Sequence, residues 1–183
     1  MAQAVSSPFP AHLTTSWSLG LAHSVTVRPI RPEDVELEIA FARSLSRHSR
    51  YNRFLGGGVR LTAELLRKLT RIDFSRDMAL MGTATLEGAE TAIGVVRYAR
   101  LEENTTCEFA VTVADAWQGR GIGKRLLAAL VECACAHGVR RMIGEVFTAN
   151  TPMLRLAHSQ GFRIDRHPDG GELRRVSLDL CTP

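Results

Sequence analysis

Val111-Thr112-Val113-Ala114-Asp115-Ala116-Trp117-Gln118-Gly119-Arg120-Gly121-Ile122-Gly123-Lys124 is the stretch on which the reading of this chain turns. An alternating apolar segment gives way to closely spaced glycines, and an amphipathic segment follows at once. At a helix start the first amide N–H groups have no intrahelical acceptor and lie at the positive end of the helix dipole. Glycines let an anion approach that backbone with no Cβ in the way. The segment is therefore a candidate phosphate cradle, with Arg120, Lys124 and Arg125 adding positive charge beside it. A tight strand-to-helix turn without a ligand would use the same residues, so the segment alone leaves both readings open. Spacing excludes two other phosphate folds. A P-loop needs G-x-x-x-x-G-K-[ST], but Arg125 stands in the Ser/Thr place and Gln118 where the first glycine belongs. A dinucleotide fingerprint opens the first strand–helix unit of a parallel sheet, whereas this loop comes late.

Upstream of the loop, residues 79–86, 92–101 and 106–113 read as three strands of an antiparallel meander, with a turn at Glu87-Gly88-Ala89-Glu90. Downstream, Ile122, Leu126, Leu127, Leu130, Val131 and Ala134 form one apolar stripe, which predicts a helix over 121–137 stopped by Gly138. A strand over 140–147 follows, then a short helix over 150–160 capped by Asn150 and closed by Gly161. The chain ends in a hairpin, 162–166 with 172–180, across Pro168-Asp169-Gly170-Gly171. Before the meander, 24–28 reads as a strand and 33–46 as a helix. The glycine run Gly56-Gly57-Gly58 comes next. A second helix is opened by Thr62, with Leu65, Leu66, Leu69 and Ile72 inward. This order predicts an α/β (α+β) fold: a mixed, mostly antiparallel, twisted sheet of about six or seven strands with about four helices on both faces. One domain is expected over 24–183. Residues 1–23, rich in Ser, Pro, Thr and Ala, read as a flexible extension without the basic start or apolar block of a signal peptide.

Apolar residues make up 45% and charged residues 23% of the 183, which is ordinary for a soluble domain with a core. A net charge of +4 is too mild for a polybasic nucleic-acid arm and suits a small polyanion equally well. No apolar run reaches the roughly 18 residues of a spanning helix. The four cysteines lack metal-ligand spacing and read as thiols in a reducing compartment. The expectation is a cytoplasmic protein with no metal, no nucleic-acid partner and no membrane. Oligomeric state is not legible.

The loop and its surroundings resemble the GNAT superfamily of N-acetyltransferases. That family's hallmark is a strand followed by [Q/R]-x-x-G-x-[G/A], matched by Gln118, Gly121 and Gly123. A second hallmark is a strand followed by Asn and a short helix ending in Gly-Phe, matched by Asn150 and Gly161-Phe162. Residues 28–34, 49–54, 108–111, 144–146 and 153–157 further resemble the acetyltransferase module of bacterial protein lysine acetyltransferases, over about residues 24–166. In that group the module is often fused to a regulatory domain, for which 183 residues leave no room.

The resemblance implies acetyl-CoA as co-substrate and a primary amine as acceptor: an accessible protein lysine first, a small amine or amino acid as the alternative. A non-catalytic acyl-CoA-binding module is the reading from another class. It further implies that Gln118, Gly119, Arg120, Gly121, Ile122, Gly123 and Lys124 take the pyrophosphate on their amides. Val111, Thr112 and Val113 would border the pantetheine arm, and the Val111 N–H would polarise the thioester carbonyl. Asn150 either contacts that arm or caps its helix.

Attack on a thioester needs a neutral amine. A lysine of pKa near 10.4 is neutral about once in 2,500 molecules at pH 7, a cost of roughly 4–5 kcal/mol. A carboxylate in the site can take that proton. The family places such a base on the strand before the loop, where Glu108 stands. Glu145, a lone acid in the apolar strand Ile143-Gly144-Glu145-Val146-Phe147, is the rival base or a group that attracts the ammonium. Ala157 occupies the place where many relatives carry a tyrosine acid, and His158 beside it reads as a surface residue. Arg47, Arg50, Tyr51 and Arg53 form a basic cluster that reads as a solvated face or as a contact for an acidic partner or CoA phosphates.

Overall fold

The computed structural model describes residues 9–20, 23–56 and 62–180. Its spine is the expected meander: β3 (Met78–Leu86), β4 (Ala89–Arg100) and β5 (Thr106–Val113), paired antiparallel. β2 (His23–Pro29) adds to β3, and β1 (Thr15–Leu19) to β2. After the crossover helix α4 (Ile122–Ala136), β6 (Arg141–Phe147) returns parallel to β5. The final hairpin, β7 (Arg163–Arg166) and β8 (Leu173–Asp179), inserts β8 next to β6, giving the sheet order β1-β2-β3-β4-β5-β6-β8-β7. The remaining helices are α1 (Val35–Ser44), α2 (Arg47–Arg53), α3 (Ala63–Thr70) and α5 (Thr151–Ser159). No helix among the described residues is long and apolar enough to cross a membrane.

The fold class is the expected one, with eight strands and five helices among the described residues. The two additions have identifiable causes. Residues 15–19 lie in the stretch expected to be a flexible extension, yet they form the edge strand β1. Their Ser/Thr content suggested a loop, but Trp17 and Leu19 alternate with Ser16 and Ser18, and both apolar side chains pack on the core. Ser16 and Thr26 join their hydroxyls across the pair at 2.9 Å. The other addition, α2, buries no side chain fully, so it had no apolar stripe to betray it. Thr62 caps α3 as expected, accepting from the Leu65 amide at 3.2 Å. Gly57 and Gly58, and the side chain of Leu66, lie outside the described residues.

α4 covers one face of the sheet. Its Leu126 reaches both Gly82 and Gly94, where a Cβ would stand 3.5 and 2.7 Å from the leucine methyls. α1 covers the other face, against β4. Gly144 is a packing glycine of a different kind, because a Cβ there would lie 2.9 Å from Phe109 Cε1 and 3.2 Å from Cδ1. The Phe109 ring is itself wedged against Phe162, with centroids 4.9 Å apart. A buried ring cannot yield as a flexible chain end can. Gly144→Ala is therefore expected to destabilise the fold by about 1–3 kcal/mol, read as a lower denaturant midpoint at unchanged slope.

Candidate active site

β5 and β6 are joined by only three register pairs, Thr106↔Arg141, Cys107↔Met142 and Glu108↔Ile143. Beyond Glu108 the strands part, and a cleft of about 460 Å³ opens between them, lined by Glu108 to Val113 on one side and Gly144 to Val146 on the other. The direction of the backbone groups in this gap follows from the ladder with β4. The Ala114 amide donates to the Ile93 carbonyl at 2.9 Å, and the Leu101 amide to the Thr106 carbonyl at 2.9 Å. Even-numbered residues of this strand therefore turn their N–H and C=O toward β4. By the two-residue alternation, Phe109, Val111 and Val113 turn theirs toward the gap. Gln118 Nε2 donates to the Val113 carbonyl at 3.0 Å. Thr112, read from sequence with Val111 and Val113, contributes side-chain wall instead, because its backbone faces β4.

The glycine loop sits at the open end of this gap. Gly119 and Gly121 hold φ of +73° and +80°, where a side chain would be strained, and nothing lies within 4 Å of a Cβ built on either. Arg125 N donates to the Gly121 carbonyl at 3.2 Å, the first turn of α4. The amides of Ile122, Gly123 and Lys124 precede it and have no intrahelical acceptor. Ile122 puts its side chain in the core, so only its amide serves the loop. Gly123 packs α4 against α5, with a built Cβ 3.3 Å from Leu156 Cδ2. Lys124 lines the cleft. The guanidinium of Arg120 lies 5.1 Å over the Trp117 ring, and that of Arg125 lies 4.8 Å over Trp17 of β1. An open backbone concavity, orphan amides and flanking cations together fit a diphosphate.

α2 forms the roof, and sequence reasoning missed it as an element of the site: His48, Ser49, Asn52 and Arg53 all line the cleft. Three ties hold it. Ser46 caps its start, accepting from the Ser49 amide at 3.1 Å. Asp115, in the turn before the glycine loop, accepts from Ser46 N (2.9 Å), Ser46 Oγ (2.8 Å) and Ser49 Oγ (2.8 Å). At the other end, Arg53 Nη2 donates to Glu38 Oε1 at 2.9 Å, and Arg97 Nη2 reaches the same oxygen at 3.3 Å. Between these ties the Tyr51 ring stacks on Phe147 of β6, 4.9 Å apart and 17° from parallel. Of the basic cluster, Arg53 is committed to this network, while Arg47 and Arg50 are exposed. The legible signal was Ser46 itself, a hydroxyl residue of the kind that caps a helix start.

Partial burial pushes the Asp115 carboxyl up, but the hydrogen bonds from Ser46 and Ser49 outweigh it and hold the group below its usual range. A carboxyl depressed on folding lends stability that is fully present above its unfolded value, near 4, and is lost as pH falls through the lower folded value. Asp115→Asn is therefore expected to flatten the acid limb of the stability–pH curve below about pH 4, measured by thermal melts from pH 7 downward.

The two candidate carboxylates share this cleft and one face of the sheet. Glu108 pairs in register with Ile143, and Glu145 stands two residues further along β6 on the same face. Glu108 is exposed to the cleft and takes no part in the side-chain hydrogen bonds or ion pairs found among the described residues. Glu145 Oε1 accepts from His167 Nε2 at 2.8 Å and meets Arg175 Nη2 at 3.5 Å. Asn150 caps α5, its Oδ1 accepting from the Met153 amide at 3.2 Å, and also borders the cleft. Ala157 is buried, and His158 is exposed beside β7, away from the cleft. Among the described residues no group of three or more His, Cys, Asp or Glu is placed to hold a metal ion.

Comparison with known proteins agrees with this geometry. Residues 50–162 match the acetyltransferase (GNAT) family. An acetyltransferase of Pseudomonas aeruginosa is 37% identical over 166 residues, covering 90% of this chain and 89% of that one. The acetyltransferase Pat of Mycolicibacterium smegmatis is 36% identical over 138 residues, 74% of this chain but only 40% of that longer protein. The crystal structure of the GNAT domain of S. lividans PAT superposes with a TM-score of 0.83 at 30% identity, covering 94% of this chain and 99% of that one. A strand splayed ahead of a glycine loop, with a family match spanning both, leads to one conclusion: the chain belongs to the GNAT family and is an acetyl-CoA-dependent acetyltransferase.

Proposed function

We propose that this acetyltransferase acetylates a primary amine, specifically the side chain of an accessible protein lysine, with Glu108 as general base. Acetyl-CoA supplies the activated acyl group as a thioester. The observation that carries the reading is the position of Glu108. It lies where β5 and β6 part, facing the cleft and, among the described residues, unengaged by any cation. Glu145 has its Oε1 tied to His167 and Arg175, which makes it the poorer proton acceptor.

The rest of the site divides the work. The amides of the Gln118–Lys124 loop hold the diphosphate. The free Val111 N–H and C=O bind an extended arm as an added strand would, and the same N–H is aimed at a carbonyl oxygen gathering negative charge. Asp115 fixes the distance between loop and roof by tying Ser46 and Ser49 to the turn that leads into the glycines. The choice of a lysine side chain rests on the resemblance at residues 28–34 and 49–54, the latter covering most of α2.

The test is thiol release from acetyl-CoA in the presence of lysine-bearing proteins, simple amines and free amino acids. Release that requires a protein acceptor is the expected result. Release with amino acids alone would reassign the acceptor, and tight CoA binding without release would reduce the protein to a binding module.

A further inference from the structure

The β7–β8 turn brings a histidine that no motif singled out against the cleft residue Glu145. His167 leaves β7 at the start of the Pro168-Asp169-Gly170-Gly171 turn, and its side chain is 8% exposed. Its tautomer is fixed by two contacts. The Asp169 amide donates to Nδ1 at 3.2 Å, so Nδ1 is an acceptor and the proton sits on Nε2. Nε2 is the atom 2.8 Å from Glu145 Oε1. Arg175, in register with Glu145 on β8, reaches the same oxygen. Both contacts therefore fall on Oε1, and among the described residues Oε2 takes none while Glu145 lines the cleft. A carboxylate with one oxygen pinned and the other open is a fixed acceptor for a cation.

A second carboxylate at this end favours a cation as well. Glu108 stands on the same face, about 7 Å of strand from Glu145. Of the cations, Arg53 lines the cleft but spends its charge on Glu38, Lys124 lies at the phosphate loop, Arg155 lines the cleft from α5, and Arg175 is held on Glu145 Oε1. Two carboxylates at the acceptor end attract an ammonium and repel a carboxylate next to it.

We propose that Glu145, oriented by His167, is the acceptor-recognition residue of this site: its free oxygen holds the ammonium of an incoming side chain and selects against acceptors that carry a carboxylate beside the amine. His167 is a positioning residue, acting through Glu145. The inference rests on the proposed acceptor cleft, and its failure is distinguishable from that of the cleft's chemistry, because Glu108 governs turnover while Glu145 governs binding.

The experiment has a kinetic and a binding arm, both using a short peptide with one lysine among neutral residues and, for contrast, free methionine sulfone. Glu145→Gln is expected to raise KM for the peptide roughly 10- to 100-fold with kcat and CoA affinity unchanged, the loss of one charge-assisted contact. Its preference for peptide over amino acid should narrow accordingly. His167→Ala is expected to raise KM in the same direction by a smaller factor, and His167→Gln, which keeps a donor for Oε1, to restore it. Calorimetric titration of the peptide into CoA-loaded protein reads the same ratio without turnover. Equal peptide binding by wild type and Glu145→Gln overturns the proposal, as does no peptide binding by the wild type or a loss confined to kcat. A collapse of turnover in Glu108→Gln alongside an unaffected Glu145→Gln would sink this inference and leave the cleft's chemistry standing.

Discussion

Glu108→Gln is expected to slow acetyl transfer by about 10²–10⁴-fold while leaving CoA affinity unchanged. Glutamine keeps the size of the side chain and cannot accept the ammonium proton. The loss should fall on kcat and kcat/KM together, the mark of an interaction used at the chemical step rather than in binding. Because the side chain faces open cleft and supports no hydrogen bond or ion pair among the described residues, the substitution should cost the fold little, and an unchanged melting temperature would certify that. An amine of low pKa, already neutral at pH 7, should recover part of the rate, since it no longer needs the base. A variant as fast as the wild type on a lysine acceptor would remove Glu108 from the mechanism.

The largest loss of stability is expected from Glu38→Ala, about 3–5 kcal/mol. Glu38 is 0% exposed, and its Oε1 is shared by Arg53 and Arg97, whose side chains are 9% and 19% exposed. Burial pulls the Arg97 guanidinium down to about 10, with Glu38 pulling it back up and Arg53 pushing it down again. At neutral pH the Arg97 guanidinium is thus charged, and removing the one carboxylate leaves it facing Arg53 in a largely buried site with no counter-charge among the described residues. The effect should appear as a melting temperature lower by roughly 6–20 °C. Replacing all three residues with apolar side chains of similar volume should recover much of the loss, because the damage comes from orphaned charge rather than from missing attraction. Full stability in Glu38→Ala alone would show that water reaches the two arginines. Activity should fall with stability, since Arg53 is the rear tie of the cleft's roof.

The meander, the glycine loop, α4 and α5 were readable because each carries a periodic apolar face bounded by a stop signal. Leu126, Leu127 and Leu130 could only be the inner side of a helix, and Gly121 and Gly138 could only be its ends. Glu108 was singled out through the resemblance, which places a base on the strand before the loop. What escaped was held by side chains reaching across the fold. α2 has no apolar stripe, and its place is set by Asp115 and Glu38, 69 and 15 residues away in sequence from the groups they bind. His167 lies in a turn whose composition announces only a bend, and nothing local says that the turn folds back onto β6. The resemblance supplied roles for Val111 and Val113, but not the alternation that turns Thr112 away. Asn150 offered two roles, and the hydrogen bond to Met153 shows it in one of them.

Only three register pairs stitch β5 to β6, so the eight strands amount to two stiff plates meeting at a short seam. Among the described residues nothing closes that seam beyond Glu108; the pairing edge of Val111 is left for some other row of donors and acceptors. A molecule laid along that edge acts as mortar, tying the plates into one body. Binding there would raise the protein's stability in step with how much of that molecule its surroundings supply.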